Sequence, residues 1–195
     1  MLSDIGADAI KIGMLANKNI VEVVVNTLKA KAKKIPIIVD TVMLAKGGAK
    51  LLDKQGIEVL KEQLIPIAKI VTPNAPEAAE ICNIKVESLD DMILAGRKIV
   101  TMGAQYALIK GGHIGGDIIK DVLVSKKNIQ IFDHDRIETT STHGTGCTLY
   151  AAIATGVAQN LSVTKAVTRG RDYVYNCIQE AIKIGKGHGP LNHII

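Results

Sequence analysis

Short apolar runs alternate along this chain with longer segments in which apolar residues recur every three or four positions. The short runs predict buried strands, and the periodic segments predict amphipathic helices. Strands are predicted at residues 8–15, 36–39, 67–71 and 106–110, followed by a hairpin of residues 118–125 and 128–132. Helices are predicted at residues 20–32, 57–64, 75–82, 88–102, 149–158 and 163–183, with a loop at Lys46-Gly47-Gly48 between the first two helices.

The alternation of strands with helices indicates an α/β fold. Its sheet is expected to be mostly parallel and covered by helices on both faces, because parallel strands need crossover connections and are buried on both sides. The chain has 195 residues, of which 47% are apolar, and this is enough for a sizeable core. Residues 1–195 contain no repeat, low-complexity tract or convincing domain boundary, so they are predicted to form a single domain.

The amino-acid composition narrows the classes of molecule that this protein is expected to bind. Aromatic residues make up 3% of the chain and tryptophan is absent, which argues against nucleic-acid binding by base stacking. The net charge of +5 is modest, and the three cysteines show neither a C-x-x-C pattern nor the even count of a disulfide framework. Without a signal-like start or an apolar run of membrane-spanning length, the expectation is a cytoplasmic protein that acts on small molecules, with no nucleic acid or membrane as partner.

Gly144–Cys147, here called the glycine loop, precedes an apolar helix and carries the strongest candidate chemistry. Glycines before a helix allow a tight turn and leave backbone N–H groups free to point outward. These groups and the helix dipole favour an anion such as phosphate, and the same field favours the thiolate form of a cysteine. The loop could therefore hold a phosphate and supply a base beside it. The alternative is a structural turn in which the cysteine packs as a small apolar residue.

Other candidate site residues stand at the ends of predicted strands, where open α/β sheets bind their ligands. They are Met14, Asp40, Asn74 with Glu77, and Lys110. Together with the glycine loop they would suit a nucleotide, a divalent metal and phosphoryl transfer. Asp40 could instead be a cap or turn residue, and Lys110 a solvated strand end. Asn74 and Glu77 could simply cap a helix.

Five motifs occur in order along the chain: IKIGML, TPNAPEAAEI, ALIKGGH, HGTGCT and GHGPLNH. This set resembles the hydroxymethylpyrimidine and phosphomethylpyrimidine kinases of thiamine biosynthesis, which belong to the ribokinase-like superfamily. The resemblance runs along essentially the whole chain. It implies a ribokinase-like three-layer sandwich and a kinase that uses ATP as co-substrate.

The resemblance also implies roles for the glycine loop and for Lys110. Gly144, Thr145 and Gly146 match the residues of the family's anion hole, and Cys147 matches its catalytic base. Many superfamily members have aspartate at that position, whereas cysteine is typical of the pyrimidine kinases and of some vitamin B6 kinases. Lys110 resembles the family's lysine near the nucleotide phosphates, which Thr145 would also contact.

For the acceptor and the metal, the resemblance implies a second group of residues. Asn74 and Glu77 resemble the superfamily's N-x-x-E motif for metal and phosphate. Mg²⁺ would be held largely through water molecules, which Asp40 and Glu77 would orient. Met14 resembles a residue that lines the pyrimidine pocket. The implied reaction transfers the γ-phosphoryl group of ATP to 4-amino-5-hydroxymethyl-2-methylpyrimidine and then to its monophosphate; a pyridoxal kinase is the related alternative.

The sequence departs from the family pattern in two places. The family's front portion, with its first strand and glycine-rich substrate loop, has no counterpart before the IKIGML strand, and Thr41 stands where the family usually has proline. A truncated or decayed gene, a misassigned start and a split enzyme all remain open. We expect an N-terminally incomplete kinase domain that binds ATP weakly and turns over poorly. The alternatives are a nucleotide-binding remnant without catalysis and one part of a split enzyme with little activity alone. An exposed apolar edge would favour a homo-oligomer or a complementing N-terminal fragment as partner.

Overall fold

The computed structural model describes residues 2–45, 49–183 and 185–195. The predicted loop at Lys46-Gly47-Gly48 lies outside these residues. The strands are β1 (Ile10–Ile12), β2 (Ile37–Val39), β3 (Ile70–Val71), β4 (Tyr106–Lys110), β5 (Ile118–Ser125) and β6 (Ile129–Asp135). The helices are α1 (Lys18–Lys31), α2 (Lys54–Val59), α3 (Ala75–Cys82), α4 (Leu89–Thr101), α5 (Thr145–Ala158) and α6 (Val163–Gln179).

The six strands form one sheet in the order in which they occur along the chain. Strands β1 to β4 are parallel to their neighbours, and β5 and β6 add an antiparallel hairpin beside β4. The α/β class and the mostly parallel sheet are therefore confirmed. The carboxyl ends of β1 to β4 meet at one edge of the sheet, where the candidate site residues were expected.

Alternate residues of the strands face two separate hydrophobic cores, as the period of a strand requires. Val39, Val71 and Ile109 point into a core that also contains the buried faces of α1 to α4. Their neighbours Ile38, Ile70 and Leu108 point into a second core with α5 and α6. Helices thus cover both faces of the sheet, which confirms the predicted layers.

The predicted helix at residues 57–64 is only partly regular. After α2 the chain continues as a π-helical turn (Leu60–Leu64) and a 3-10 turn (Ile65–Ile67) before it reaches β3. Pro66 lacks the N–H that an α-helix would need and fits the first turn of the 3-10 segment. The predicted strand at residues 67–71 is wrong in its first residues for the same reason, because β3 begins at Ile70.

The last helix is shorter than the predicted segment 163–183, because α6 ends at Gln179. Asn192 in the C-terminal tail donates its backbone N–H to the carbonyl of Cys177 at 3.1 Å and its side-chain amide to the carbonyl of Glu180 at 3.1 Å. The tail therefore satisfies carbonyl groups at the end of the helix, as capping residues do. Among the described residues, the helices are all too short or too polar to cross a membrane.

Candidate active site

The glycine loop forms the start of α5. Gly144 is the N-cap residue with a φ of 87°, a left-handed conformation that glycine adopts without strain. In the part of the chain that the structure describes, no side chain caps this helix end. The hydroxyl of Thr145 is already engaged, since it donates to the carbonyl of Thr142 at 2.8 Å. The backbone N–H groups of the first turn are thus the groups available to an anion.

The side chain of Lys110 reaches from the end of β4 to the glycine loop. Its Nζ atom lies 4.6 Å from the centre of the Tyr150 ring, and a Cβ atom added to Gly146 would lie 3.6 Å from Nζ. The ammonium group therefore lies within van der Waals reach of Gly146, close to the helix start. The ammonium group of Lys110 and the start of α5 thus lie close together and form a strongly positive region, here called the positive locus.

Asp40 follows β2 and is buried at the same edge of the sheet. Burial raises the pKa of its carboxyl group, and the charges of Lys110 and Lys11 partly offset that rise. The Nζ atom of Lys11, in β1, lies 3.4 Å from Oδ2 of Asp40. This ion pair was not predictable from local pattern, because Lys11 belongs to β1 whereas Asp40 follows β2.

Glu77 is a second buried acid, in the first turn of α3. Its Oε2 atom accepts the N–H of Asn74 at 2.9 Å, and the side-chain oxygen of Asn74 accepts the N–H of Glu77 at 2.9 Å. This is a complete capping box, so the structural alternative for both residues is realised. Burial raises the pKa of Glu77, and the charge of Lys110 partly offsets that rise.

Thr41 joins the two acids and was not among the predicted site residues. Its hydroxyl donates to Oε2 of Glu77 at 3.1 Å, and its side chain is fully buried. A proline at this position would have no hydroxyl and could not make this bond. The threonine thus places an additional donor on Glu77.

The two acids would suit a hydrated magnesium ion better than a tightly chelated metal. Within residues 2–45, 49–183 and 185–195, no group of three or more His, Cys, Asp or Glu side chains is placed to hold a metal. Mg²⁺ usually keeps several water molecules and binds through one or two carboxylates. Asp40 and Glu77 offer such a pair beside the positive locus.

Cys147 lies in the first turn of α5 and is exposed, whereas Cys82 and Cys177 are buried. The thiol borders a cavity of about 620 Å³ along the outer face of α5, which Arg169, Tyr173 and His193 also line. A second cavity of about 440 Å³ is lined by residues that include Thr140, Ser141, Ala181 and Lys183. Met14 follows β1 at the same edge of the sheet and is 58% exposed.

The segment 111–116 that follows Lys110, here called the lysine loop, is held at several points. The N–H of Gly111 donates to Oδ1 of the buried Asp121 at 3.0 Å. The guanidinium group of Arg136 donates to the carbonyls of Gly112, Ile114 and Gly116 at 3.2, 2.7 and 2.8 Å. These contacts link residues 10 to 24 positions apart, so the sequence pattern contained no signal for them.

Backbone N–H groups at a helix start, a lysine and two buried acids at one edge of a parallel sheet form a site of the kind that α/β phosphotransferases use. The chain belongs to the phosphomethylpyrimidine kinase family, whose model matches residues 1–192. Members of this family are phosphotransferases, and the fold is ribokinase-like. The predicted family resemblance and fold class are both confirmed.

The relatives support this placement over most of the chain. The hydroxymethylpyrimidine/phosphomethylpyrimidine kinase of Bacillus subtilis is 41% identical over 197 residues, covering 97% of this chain and 70% of that protein. The thiamine biosynthesis bifunctional protein ThiED of Geobacter sulfurreducens is 39% identical over 196 residues, covering 100% of this chain and 40% of that protein. Among solved structures, the ADP complex of Bacillus subtilis pyridoxal kinase matches with a TM-score of 0.90 at 34% identity, covering 98% of this chain and 72% of that one.

Proposed function

We propose that the chain catalyses phosphorylation of 4-amino-5-hydroxymethyl-2-methylpyrimidine and of its monophosphate by ATP. The observation that carries the proposal is the position of Lys110, whose ammonium group lies close to the glycine loop and whose charge partly offsets the rise that burial causes in the pKa values of Asp40 and Glu77. A γ-phosphoryl group at this point would meet the backbone N–H groups on one side and the ammonium group on the other. Phosphoryl transfer depends mainly on such positioning and charge neutralisation.

In this mechanism the acceptor hydroxyl attacks the γ-phosphorus of ATP. The new O–P bond forms as the bond between the γ-phosphorus and the β,γ-bridging oxygen breaks, and ADP leaves. The hydroxyl proton passes to the thiolate form of Cys147, which is exposed at the start of α5, acts as general base and becomes the neutral thiol. The N–H groups of residues 144–147 stabilise the negative charge on the moving phosphoryl group.

Asp40 and Glu77 would hold Mg²⁺ through water molecules, and the ion would neutralise phosphate charge. The burial that raises the pKa of both carboxyl groups also strengthens their attraction for a cation that displaces the proton. The capping bonds of Glu77 fix the direction of its carboxylate. Met14 is exposed just after β1, and we assign it to the binding of the pyrimidine ring.

Vitamin B6 phosphorylation is a second candidate function. The structural neighbour with a TM-score of 0.90 is a pyridoxal kinase crystallised with ADP, so the same fold serves that reaction in a relative of 34% identity. Pyridoxal also carries a hydroxymethyl group on an aromatic six-membered ring. The two substrates would therefore present the same nucleophile to Cys147, and selectivity would depend on the ring.

A coupled assay of ADP release, with the pyrimidine alcohol and pyridoxal in parallel, tests the proposal. The assay uses two versions of the protein. One is the chain as it is, and the other carries at its N-terminus the front portion of the Bacillus subtilis relative, with the first strand and the substrate loop that the family resemblance implies. We expect Cys147→Ala to lower turnover by about 10²–10⁴-fold, the usual contribution of general-base catalysis, while the Kd for ADP changes little. Cys147→Ser is the matched variant that keeps the size of the side chain.

Two outcomes would contradict the proposal in different ways. Near-normal turnover in Cys147→Ala would remove the base assignment but leave the kinase assignment intact. Absence of ADP binding and of ADP release with both alcohols, in both versions of the protein, would overturn the kinase assignment. Faster turnover of pyridoxal than of the pyrimidine alcohol would favour the second candidate.

A further inference from the structure

Tyr150 connects three parts of the candidate site and has no role in the mechanism described above. It lies in α5 one turn after Cys147 and is the largest fully buried side chain among the described residues. The face of its ring lies under Nζ of Lys110, 4.6 Å from the ring centre. Its hydroxyl donates to the carbonyl of Thr72 at 3.0 Å, just after β3. One side chain thus touches the end of β3, the end of β4 and the helix of the glycine loop.

The contact with Lys110 has the geometry of a cation–π interaction. The face of an aromatic ring carries partial negative charge and attracts an ammonium group within about 6 Å of its centre. Such contacts are stronger where water is excluded, and the ring of Tyr150 is fully buried. Lysine has a flexible four-carbon stem, so an ordered ammonium group needs a partner that fixes its position.

The hydroxyl bond to Thr72 determines where the ring can lie. The carbonyl of Thr72 belongs to the segment that leads to the capping box of α3, so the ring is fixed to the sheet as well as to α5. A tyrosine that only filled the core would need no cation over its face. The position of Lys110 therefore distinguishes this residue from its neighbours in the same core, such as the fully buried Ile153.

We propose that Tyr150 is a positioning residue that holds the ammonium group of Lys110 over its ring, in place for the phosphates of a nucleotide at the glycine loop. This inference rests on the proposed function for the nucleotide, but the placement of Lys110 can be measured without it. Removal of the ring face would leave the lysine free to turn away from the glycine loop. The helix start and the acids would remain.

Two substitutions separate the ring face from the packing of the side chain. Tyr150→Leu keeps an apolar side chain but removes the ring face, and we expect the Kd for ADP with Mg²⁺ to rise by about 2- to 30-fold, the range that corresponds to a cation–π contact. Tyr150→Phe keeps the ring face and is expected to restore most of the affinity that Tyr150→Leu loses. Ile153→Val, in the same core but away from Lys110, should lower the Tm without changing the Kd. Isothermal titration calorimetry measures these values.

A double-mutant cycle with Lys110→Met tests whether the effect passes through the lysine. If it does, Tyr150→Leu weakens ADP binding in the natural background and adds little in the Lys110→Met background. An equal loss in both backgrounds would mean that Tyr150 acts only through folding, and would overturn the proposal. Equal affinities of Tyr150→Leu and the natural chain would overturn it as well.

Nuclear magnetic resonance supplies the measurement that does not depend on nucleotide. Protons on the side chain of Lys110 should be shifted upfield by the ring, in the natural chain and in Tyr150→Phe, and the shift should vanish in Tyr150→Leu. Without that shift in the natural chain, the proposal is overturned even if ADP binds. If the shift is present but the natural chain binds no ADP, the placement of Lys110 by Tyr150 is supported and the proposed nucleotide function fails.

Discussion

The Nε atom of Arg171 in α6 lies 2.9 Å from Oδ2 of Asp121 in β5, and both side chains are more than nine-tenths buried. Asp121 is also the cross-strand partner of Lys110 and holds the N–H of Gly111 with its other oxygen. The guanidinium group of Arg171 further lies over the ring of Phe132. This buried ion pair therefore joins α6, the hairpin and the residue that follows the candidate phosphate-binding lysine.

Removal of either partner of this pair should be strongly destabilising. We expect Asp121→Ala to lower the free energy of unfolding by about 3–5 kcal/mol, because it leaves a buried guanidinium group without its counter-charge. The double variant with Arg171→Met should lose less than the sum of the two single losses. Denaturation in urea measures all three variants. The control is Glu22→Ala, which breaks the exposed ion pair with Lys18 and should lower the free energy of unfolding by less than about 1 kcal/mol. If the losses of the Asp121 and Arg171 single variants simply add in the double variant, the interpretation of the two side chains as a stabilising pair is contradicted.

His134 should make the stability of the protein depend on pH. Its Nδ1 atom accepts a hydrogen bond from Arg171, so that nitrogen carries no proton in the folded protein. Burial lowers the pKa of His134 from its ordinary value, and the charge of Arg171 lowers it further, although Asp121 and Asp135 act in the opposite direction. Because the pKa of His134 is lower in the folded protein, the unfolded chain binds the proton more tightly. The stability that neutral His134 contributes is therefore complete above about pH 6.5, and it is lost as the pH falls through the pKa of His134 in the folded protein.

Urea denaturation between pH 5 and 8 tests this prediction by comparison with His134→Gln. Glutamine offers an acceptor to Arg171 but does not titrate near neutral pH. The buried acids Asp40 and Glu77, whose pKa values are raised, contribute equally to both proteins and cancel in the difference. The natural chain should lose stability relative to the variant as the pH falls below about 6.5. A difference that does not change with pH would show that His134 does not titrate in this way.

The regular elements were predictable where local pattern decides them. The predicted bounds of β4 and α3 are those found in the structure, because each is a short apolar or amphipathic segment closed by a distinct turn or cap. The turns between Leu60 and Ile67 were not predictable, since apolar periodicity cannot distinguish α-, π- and 3-10 geometry. Only the surrounding packing and Pro66 determine them.

Within the candidate site, only the residues of the loops at the strand ends could be predicted from the sequence. Residues at strand ends can be located from the chain alone, because the carboxyl ends of parallel strands share one edge of the sheet. The contacts that shape the site join distant residues: Thr41 with Glu77 across 36 positions, Asp121 with Arg171 across 50, and Thr72 with Tyr150 across 78. No local pattern encodes such pairs, so Tyr150 looked like any other apolar position of a buried helix.

Glu77→Gln should weaken magnesium-dependent steps more than it weakens folding. Glutamine can still accept the N–H of Asn74, so the capping box loses charge but keeps its hydrogen bond. We expect a stability loss below about 1 kcal/mol together with a higher magnesium requirement for ADP formation. A magnesium titration of turnover, alongside denaturation in urea, separates the two effects. An unchanged magnesium requirement with a clear loss of stability would mean that Glu77 is only a cap.

Arg136 should determine the order of the lysine loop. Its guanidinium group donates to three loop carbonyls, and lysine at this position could not reach all three with the same geometry. In Arg136→Lys we expect amide hydrogen exchange in residues 112–116 to accelerate by about tenfold or more, as local opening becomes easier. Arg97→Lys, on the exposed face of α4, is the matched control and should leave exchange in the loop unchanged. Equal rates of amide exchange in Arg136→Lys and in the natural chain would show that Arg136 does not determine the order of the lysine loop.

Cys147 should be the cysteine that reacts in the folded protein. It is exposed at the start of α5, whereas Cys177 is buried and Cys82 lies in the core with its thiol 3.5 Å from the carbonyl of Ala95. Burial raises the pKa of Cys82 to about 11, so only about one in a thousand of its thiols would be ionised at pH 8. Iodoacetamide should therefore add one label to the native chain and three in urea, as counted by mass spectrometry. The native Cys147→Ser variant should take up no label; labelling of Cys82 at a rate similar to that of Cys147 would show that this core opens readily.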